Sequence, residues 1–331
     1  MDIIIPTERN DAFETEAKTD VLKTLEALVK DLMEQHLKKR RLWFSSDFLP
    51  ADEQMDEDQD RALGKLRERA RGIVDAVRVS VAVNLLTEEG LPHFHRVFSN
   101  YLGNDNVWSK WNFLWTAEED RHGAVLRDYA RDTRLFRFRE IEMMQHAFNV
   151  AGFAPGWDQD PYRVFVYTTL QERATQFSHR NTGRLAGQHE PTLKKILDQV
   201  AADEARHFTF YRRVFKAILD VDPNRALQSA LAVIPGLQMP GATMPSFREM
   251  ADVIRRTGIY GPWDYKTIVE NTLDFWKIEM MTGLNEAGRK AQEKILAIPA
   301  RLQKVAEYVE QRSKAKTFSF AFLNDRLLEI E

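Results

Sequence analysis

A chain of 331 residues with 44% hydrophobic side chains, 29% charged residues, 15 Gly and 12 Pro has the material for a large core and too little punctuation to be fibrous or disordered. A formal net charge of −3 supplies no basic field for nucleic acid, and the absence of cysteine excludes disulfides, thiolate zinc sites and built-in iron–sulfur clusters. No run of 18 apolar residues suggests a transmembrane segment, and Ile3-Ile4-Ile5 is too short for a signal peptide, so the expected location is cytoplasmic.

In chain order, Val21, Leu25, Leu28, Leu32 and Met33 predict a first helix, capped by Asp20 and ending in the basic run Lys38 to Arg41. Ser45 to Asp58 reads as irregular. A helix then carries Val74, Val77, Val81, Leu85 and Glu88, and Pro92 should kink or restart it. After a turn over Asn100 to Asn106, Trp108, Trp111, Trp115, Glu119, His122, Leu126 and Tyr129 recur on one helix face. A helix over Leu135 to Ala151 and a connection between Gly152 and Pro161 precede the helix with Phe165, Thr168, Glu172, Thr175 and His179. The most regular stripe follows, Leu193, Leu197, Val200, Glu204, His207, Tyr211, Val214 and Ile218. Beyond a Pro/Gly/Met-rich linker, Phe247 to Arg256, Lys266 to Thr282 and Glu286 to Arg312 read as peripheral helices. No strand alternation persists, so the fold is expected to be all-α.

Glu-x-x-His places a carboxylate and an imidazole one turn apart on one side of a helix, where both reach a single metal ion. One such match is expected by chance in a chain of this composition. What distinguishes Glu119/His122 and Glu204/His207 is that both interrupt core-facing stripes, where an uncompensated carboxylate costs several kcal/mol or stays protonated. Glu88 and Glu172 supply two further acids. Glu88 precedes Glu119 by 31 residues and Glu172 precedes Glu204 by 32, so each half repeats a lone Glu and then Glu-x-x-His. This is the ligand plan of ferritin-like di-metal bundles, and four carboxylates balance two divalent ions. Mixed oxygen and nitrogen donors favour iron, or less often manganese.

At these residues the chain resembles the soluble acyl-carrier-protein desaturases, the stearoyl-type enzymes of plastids and their bacterial relatives. The resemblance rests on Thr87-Glu88-Glu89-Gly90-Leu91-Pro92, Trp115-Thr116-Ala117-Glu118-Glu119-Asp120-Arg121-His122-Gly123, Gln171-Glu172-Arg173-Ala174-Thr175, Ser178-His179-Arg180-Asn181-Thr182 and Ala202-Asp203-Glu204-Ala205-Arg206-His207. It implies two iron ions (Fe2+/Fe3+) bridged by Glu119 and Glu204, with Glu88 and Glu172 at the ends and His122 and His207 completing the two sets. It further implies Thr175 beside the oxygen-binding face and an electron path through Trp43 and Asp203. The implied reaction places a cis double bond in a saturated acyl chain on acyl carrier protein, using O2 and a ferredoxin-like donor, in a homodimer. Val164 stands where plant enzymes carry Gly near the far part of the acyl channel, which leaves chain length and double-bond position open.

The expected organisation is one ferritin-like domain over 1–331: a flexible segment 1–18, a bundle 19–235, a linker 236–248, and peripheral helices and tail 249–331. Trp108, Trp111 and Trp115 are read as core packing, His146, His179 and His189 as structural or surface residues, and Glu89 and Glu118 as supporting or exposed, since a neighbour on a helix points about 100° away. The basic run is a candidate dock for the carrier protein. The alternative function is another ferritin-like di-iron protein, an oxygenase or an iron-binding protein; Tyr129 and Tyr211 leave a radical-tyrosine enzyme open.

Overall fold

Proline after an acid or before a charged turn starts several of the helices that carry the chemistry, because its missing N–H costs nothing in a first turn. The computed structural model describes residues 7–50, 57–103, 105–153 and 160–331. Its helices are α1 Thr7–Thr24, α2 Glu26–Lys39, α3 Glu57–Arg71, α4 Asp75–Glu88, α5 Leu91–Leu102, α6 Val107–Thr133, α7 Phe138–Ala151, α8 Pro161–Ala186, α9 Pro191–Val221, α10 Pro223–Val233, α11 Phe247–Arg256, α12 Pro262–Trp276, α13 Glu286–Leu296 and α14 Ile298–Gln311. Asp160 caps α8 by accepting from the backbone N–H of Tyr162 at 2.9 Å, and Glu190 caps α9 through Leu193 N–H at 2.6 Å. Asn106 caps α6 through Ser109 N–H at 2.9 Å.

α4, α6, α8 and α9 close a four-helix ring in which α4 and α9 each pack on both α6 and α8. This is the all-α, ferritin-like bundle. Its long helices bury wide faces, α9 from Leu193 to Leu219 and α8 from Pro161 to Ala186. The remaining helices wrap it: α2 covers the seam of α6 and α9, α11 lies on α4, α5 on α6 and α8, and α10, α12, α13 and α14 form the C-terminal flank. α2 meets the seam through Leu25, Val29, Leu32 and His36, spaced by four, three and four.

Several boundaries differ from the sequence expectation. The segment 1–18, expected to be flexible, is helical from Thr7 onward among the described residues, and Lys18 ties it down through a largely buried ion pair with Asp160 at 2.7 Å. The single first helix is two, interrupted at Leu25, and Asp20 pairs with Lys23 instead of capping. Of the two outcomes expected at Pro92, the restart is the one found. Glu286 to Arg312 is likewise divided, because Pro299 opens the first turn of α14. The tail pairs Lys316–Phe318 (β1) antiparallel with Leu328–Ile330 (β2), strands too short to leave a period in the sequence. The Ile3-Ile4-Ile5 run, residues 51–56 of the expected loop, Asn104 of the turn and residues 154–159 of the connection lie outside the described residues.

Between α4 and α5, Gly90 meets the fully buried ring of Phe148, and a Cβ there would stand 2.6 Å from a ring carbon. Its φ of −78° is open to any residue, so the requirement is space alone. Gly90→Ala should lower stability by about 1–3 kcal/mol through overpacking, read as a lower urea midpoint with unchanged slope.

Candidate metal centre

The six predicted side chains come together. Glu88 arrives from α4, Glu119 and His122 from α6, Glu172 from α8, and Glu204 and His207 from α9, and all six are buried. Their donor atoms form two overlapping sets, each with every atom within 4.8 Å of the others: Glu88, Glu119, His122 and Glu204, and Glu119, Glu172, Glu204 and His207. The two sets share Glu119 and Glu204. Glu119 spans the histidines, with one oxygen 3.3 Å from His122 Nδ1 and the other 2.7 Å from His207 Nδ1. Glu204 does the same at 3.7 and 3.8 Å.

Burial this deep demands partners, yet Glu119 Oε1, Glu172 Oε2, Glu204 Oε2, His122 Nδ1 and His207 Nδ1 make no hydrogen bond. Five orphaned donor atoms facing one another are what a pair of cations satisfies. The donor set, four carboxylate groups and two imidazoles, fits two divalent ions in charge and in kind.

In the metal-free protein the electrostatics are strained accordingly. Burial, opposed by the His179 hydrogen bond, pushes Glu88 up to about 7. Burial and the neighbouring Glu119 and Glu172 carboxylates raise Glu204 well above the usual range. Glu172 is raised chiefly by burial. Burial would lift Glu119 too, but His122 and His207 on either side hold it well below the usual carboxylate range. Burial lowers His122, and Glu119, Glu204 and Glu88 outweigh it, bringing the imidazole up to about 9.

The outward nitrogens are held by acids that cross between helices. His122 Nε2 on α6 faces Asp203 of α9 at 3.3 Å, while His207 Nε2 on α9 meets Glu118 of α6 at 2.9 Å. Each acid immediately precedes a centre glutamate in the chain. A proton held on Nε2 leaves the Nδ1 lone pair facing the centre. The acids have unlike backing. Asp203 accepts from Trp43 Nε1 at 2.8 Å and pairs with Arg206 and Arg121, and the Trp43 ring lies parallel to His122 with centroids 6.0 Å apart. Glu118 also accepts from His36 Nε2 at 2.9 Å and Arg40 at 3.1 Å; burial would raise it, but His207 and His36 outweigh burial and keep it well below the usual range.

Sequence reasoning missed part of this shell. His179, read as structural or surface, donates to or accepts from Glu88 Oε1 at 2.8 Å, and Trp115, read as core packing, donates Nε1–H to Glu172 at 3.1 Å. Glu118 had a signal: Trp111, Trp115, Glu118 and His122 form a second stripe with steps of four, three and four, as Ile196, Val200, Asp203 and His207 do on α9. Thr175 keeps its hydroxyl on the carbonyls of Gln171 and Glu172, both at 3.1 Å. Tyr211 accepts from Trp111 Nε1 and Tyr129 bonds Glu190.

A cavity of about 470 Å3 opens from the surface onto this centre, lined by Glu88 and Thr175 at its inner end and by residues such as Leu237, Met239, Phe247 and Tyr260 towards its mouth. The stretch expected as a linker therefore forms one cavity wall. A family model described as fatty acid desaturase matches residues 17–324. The chain belongs to that family. Among its relatives are an acyl-[acyl-carrier-protein] desaturase of Cucumis sativus chloroplasts, 32% identical over 95% of this chain and 83% of the relative, and a palmitoyl-[acyl-carrier-protein] 4-desaturase of Coriandrum sativum, 31% identical over 92% and 82%. A solved chain of Mycobacterium tuberculosis H37Rv, DesA2, described as a candidate acyl-ACP desaturase, shares the fold with a TM-score of 0.55 over 83% of this chain and 99% of its own, at 22% identity. No helix among the described residues of this family member is long and apolar enough to cross a membrane.

Two outcomes follow from the shell. Glu118→Ala, which frees His207 Nε2, should weaken metal retention on the order of 10–100-fold, measured by competition with a chelator. Glu88 and His122 both bind protons more tightly folded than unfolded, so metal-free protein should lose stability as pH rises from about 4.5 through 7 for Glu88 and from about 6.5 through 9 for His122. Urea midpoints at pH 6 and pH 9 check this, and bound metal, which replaces those protons, should flatten the difference.

Proposed function

We propose that the protein is an O2-dependent acyl-[acyl-carrier-protein] desaturase with two iron ions held by Glu88, Glu119, His122, Glu172, Glu204 and His207. Glu119 and Glu204, the two residues common to both donor sets, would serve both ions. Glu88 and Glu172, each found in one set alone, would serve one ion each. The observation that carries the reading is the apolar cavity that ends on this donor set, in a chain whose relatives are named for acyl-carrier substrates. In the reaction two C–H bonds of adjacent methylenes break and one C=C bond forms. One O2 leaves as two waters, taking two electrons from the donor and two protons. Iron with O2 supplies the oxidising power that no protein side chain has for an unactivated methylene.

The chain's own residues bind and orient. Leu237, Met239 and Phe247 exclude water from the acyl chain, and the cavity holds the chain where two methylenes face Glu88 and Thr175. Thr175 lines the cavity beside Glu88, where it would stand next to bound O2, with its hydroxyl proton held on the Gln171 and Glu172 carbonyls. Trp43 and Asp203 form a bonded line to His122, the side from which a ferredoxin-like donor delivers electrons. Val164, buried in the core, is not among the residues lining this cavity, so its part in chain-length selection is indirect. The same reading includes a homodimer, for which exposed Met143 and Val150 on α7 supply apolar surface, and a cytoplasmic location. It treats residues 1–331 as one domain with the bundle at its centre.

Incubation of the iron-loaded protein with acyl-carrier substrates, ferredoxin, reductant and O2 should yield cis-monounsaturated acyl chains. Saturated chains at every length tested, with two irons bound, would leave a di-iron oxygenase or iron-binding protein instead. Glu204→Ala should abolish turnover and lower iron content below two per chain. Trp43→Phe should keep both irons and slow reduction of the centre by the donor, followed as loss of ferric absorbance.

A further inference from the structure

His122 and His207 are fully buried and Glu172 and Glu204 nearly so, whereas Glu88 and Glu119 retain exposures of 7% and 6%. Solvent therefore meets the centre at the Glu88 and Glu119 side. Glu88 lines two cavities. One is the apolar cavity described above. The other, of about 640 Å3, lies between the end of α4, the start of α5, α6 and α7, and is bounded by Glu88, Glu89, Thr116, Asp120, Gly123 and Arg127. Its inner end carries two successive carboxylates, and Asp120 stands at its exposed rim.

Glu89 has one carboxylate oxygen paired with a cation and the other unsatisfied. Its side chain is 9% exposed and Oε1 pairs with Arg127, while Oε2 is buried and makes no hydrogen bond. Arg127 is itself held by Gln145 at 2.5 Å. A Cβ on Gly123 would lie 3.5 Å from Glu89 Cγ and 3.6 Å from Glu88 Cβ, so the absence of a side chain there leaves the floor of the cleft open to both acids. A hydrated cation crossing the apolar cavity would give up its water against Leu, Met and Phe, with nothing in return. The cleft has Leu91, Pro92 and Arg127 in its walls, but Asp120, Glu89 and Glu88 there offer carboxylate oxygens that can take the place of that water.

We propose that this cleft is the route by which divalent cations reach the centre, with Glu89 as the transit ligand that receives the incoming ion and passes it to Glu88. Arg127 is the counter-ion that holds Glu89 when no ion is in transit. The apolar cavity and the cleft thus divide the traffic: acyl chain on one side of Glu88, ions on the other. The proposal rests on the six side chains being metal ligands.

Rapid mixing of the metal-free full-length protein with Co2+, followed by its visible absorption, measures the loading rate separately from the final stoichiometry. Glu89→Gln, which removes the charge and keeps the shape, should slow loading about tenfold or more while two Co2+ still bind per chain. Gly123→Ala, which narrows the floor without a clash, should slow it as well. Ala242→Phe, which fills the apolar cavity, should load at the parent rate. Parent-rate loading by both cleft variants, or slow loading by Ala242→Phe, overturns the route. Failure of the parent protein to take up Co2+ at all would instead overturn the metal centre on which the route depends.

Discussion

Four carboxylates brought into one low-dielectric space cannot all stay ionised unless cations stand between them, and this constraint organises the bundle. The opposed shifts show it directly: Glu119 is held ionised by two imidazoles, while Glu88, Glu172 and Glu204 are pushed towards the acid form. Metal-free, the core shares protons among acids that burial has made basic. Loaded, those protons are exchanged for metal charge, and the orphaned nitrogens and oxygens gain ligands. The ring of α4, α6, α8 and α9 is thus held by its apolar faces, and cations would relieve its polar seam.

The outer shell explains how the inner one keeps its geometry. Asp203 and Glu118 reach across from opposite helices to the imidazoles, so α6 and α9 are each fastened to the other at two levels, and α2 with the segment after it closes the arrangement through His36, Arg40 and Trp43. A rotation of either helix would expose one acid and break the other. Regioselective oxidation of a methylene chain needs donor atoms that do not wander, and a ring held at both nitrogens does not turn.

Much of the centre was legible because α-helical spacing converts sequence into direction: a Glu-x-x-His inside a stripe of Trp, Leu and Val has only the core to face. The remainder was lost for physical reasons. Glu118 sits beside a centre residue and reads as supporting or exposed; about 100° of helix rotation does not decide between the two unless the buried face is known to be wide, as it is when α2 covers the α6/α9 seam. His36 continues the Leu25, Val29, Leu32 stripe, but an imidazole on an apolar stripe has no partner visible in the chain 82 residues before Glu118. Which nitrogen of each histidine faces inward is set by those distant acids. The break at Leu25 and the helix before Lys18 depend on packing and on one ion pair with Asp160, none of which leaves a local signature.

The two halves of the centre repeat one ligand plan, yet their supports differ: an indole beside two guanidinium groups behind His122, an imidazole and a guanidinium behind His207. Unequal support makes the two imidazoles unequal electron donors. The two ends of the centre are therefore chemically distinct although their ligand plan repeats.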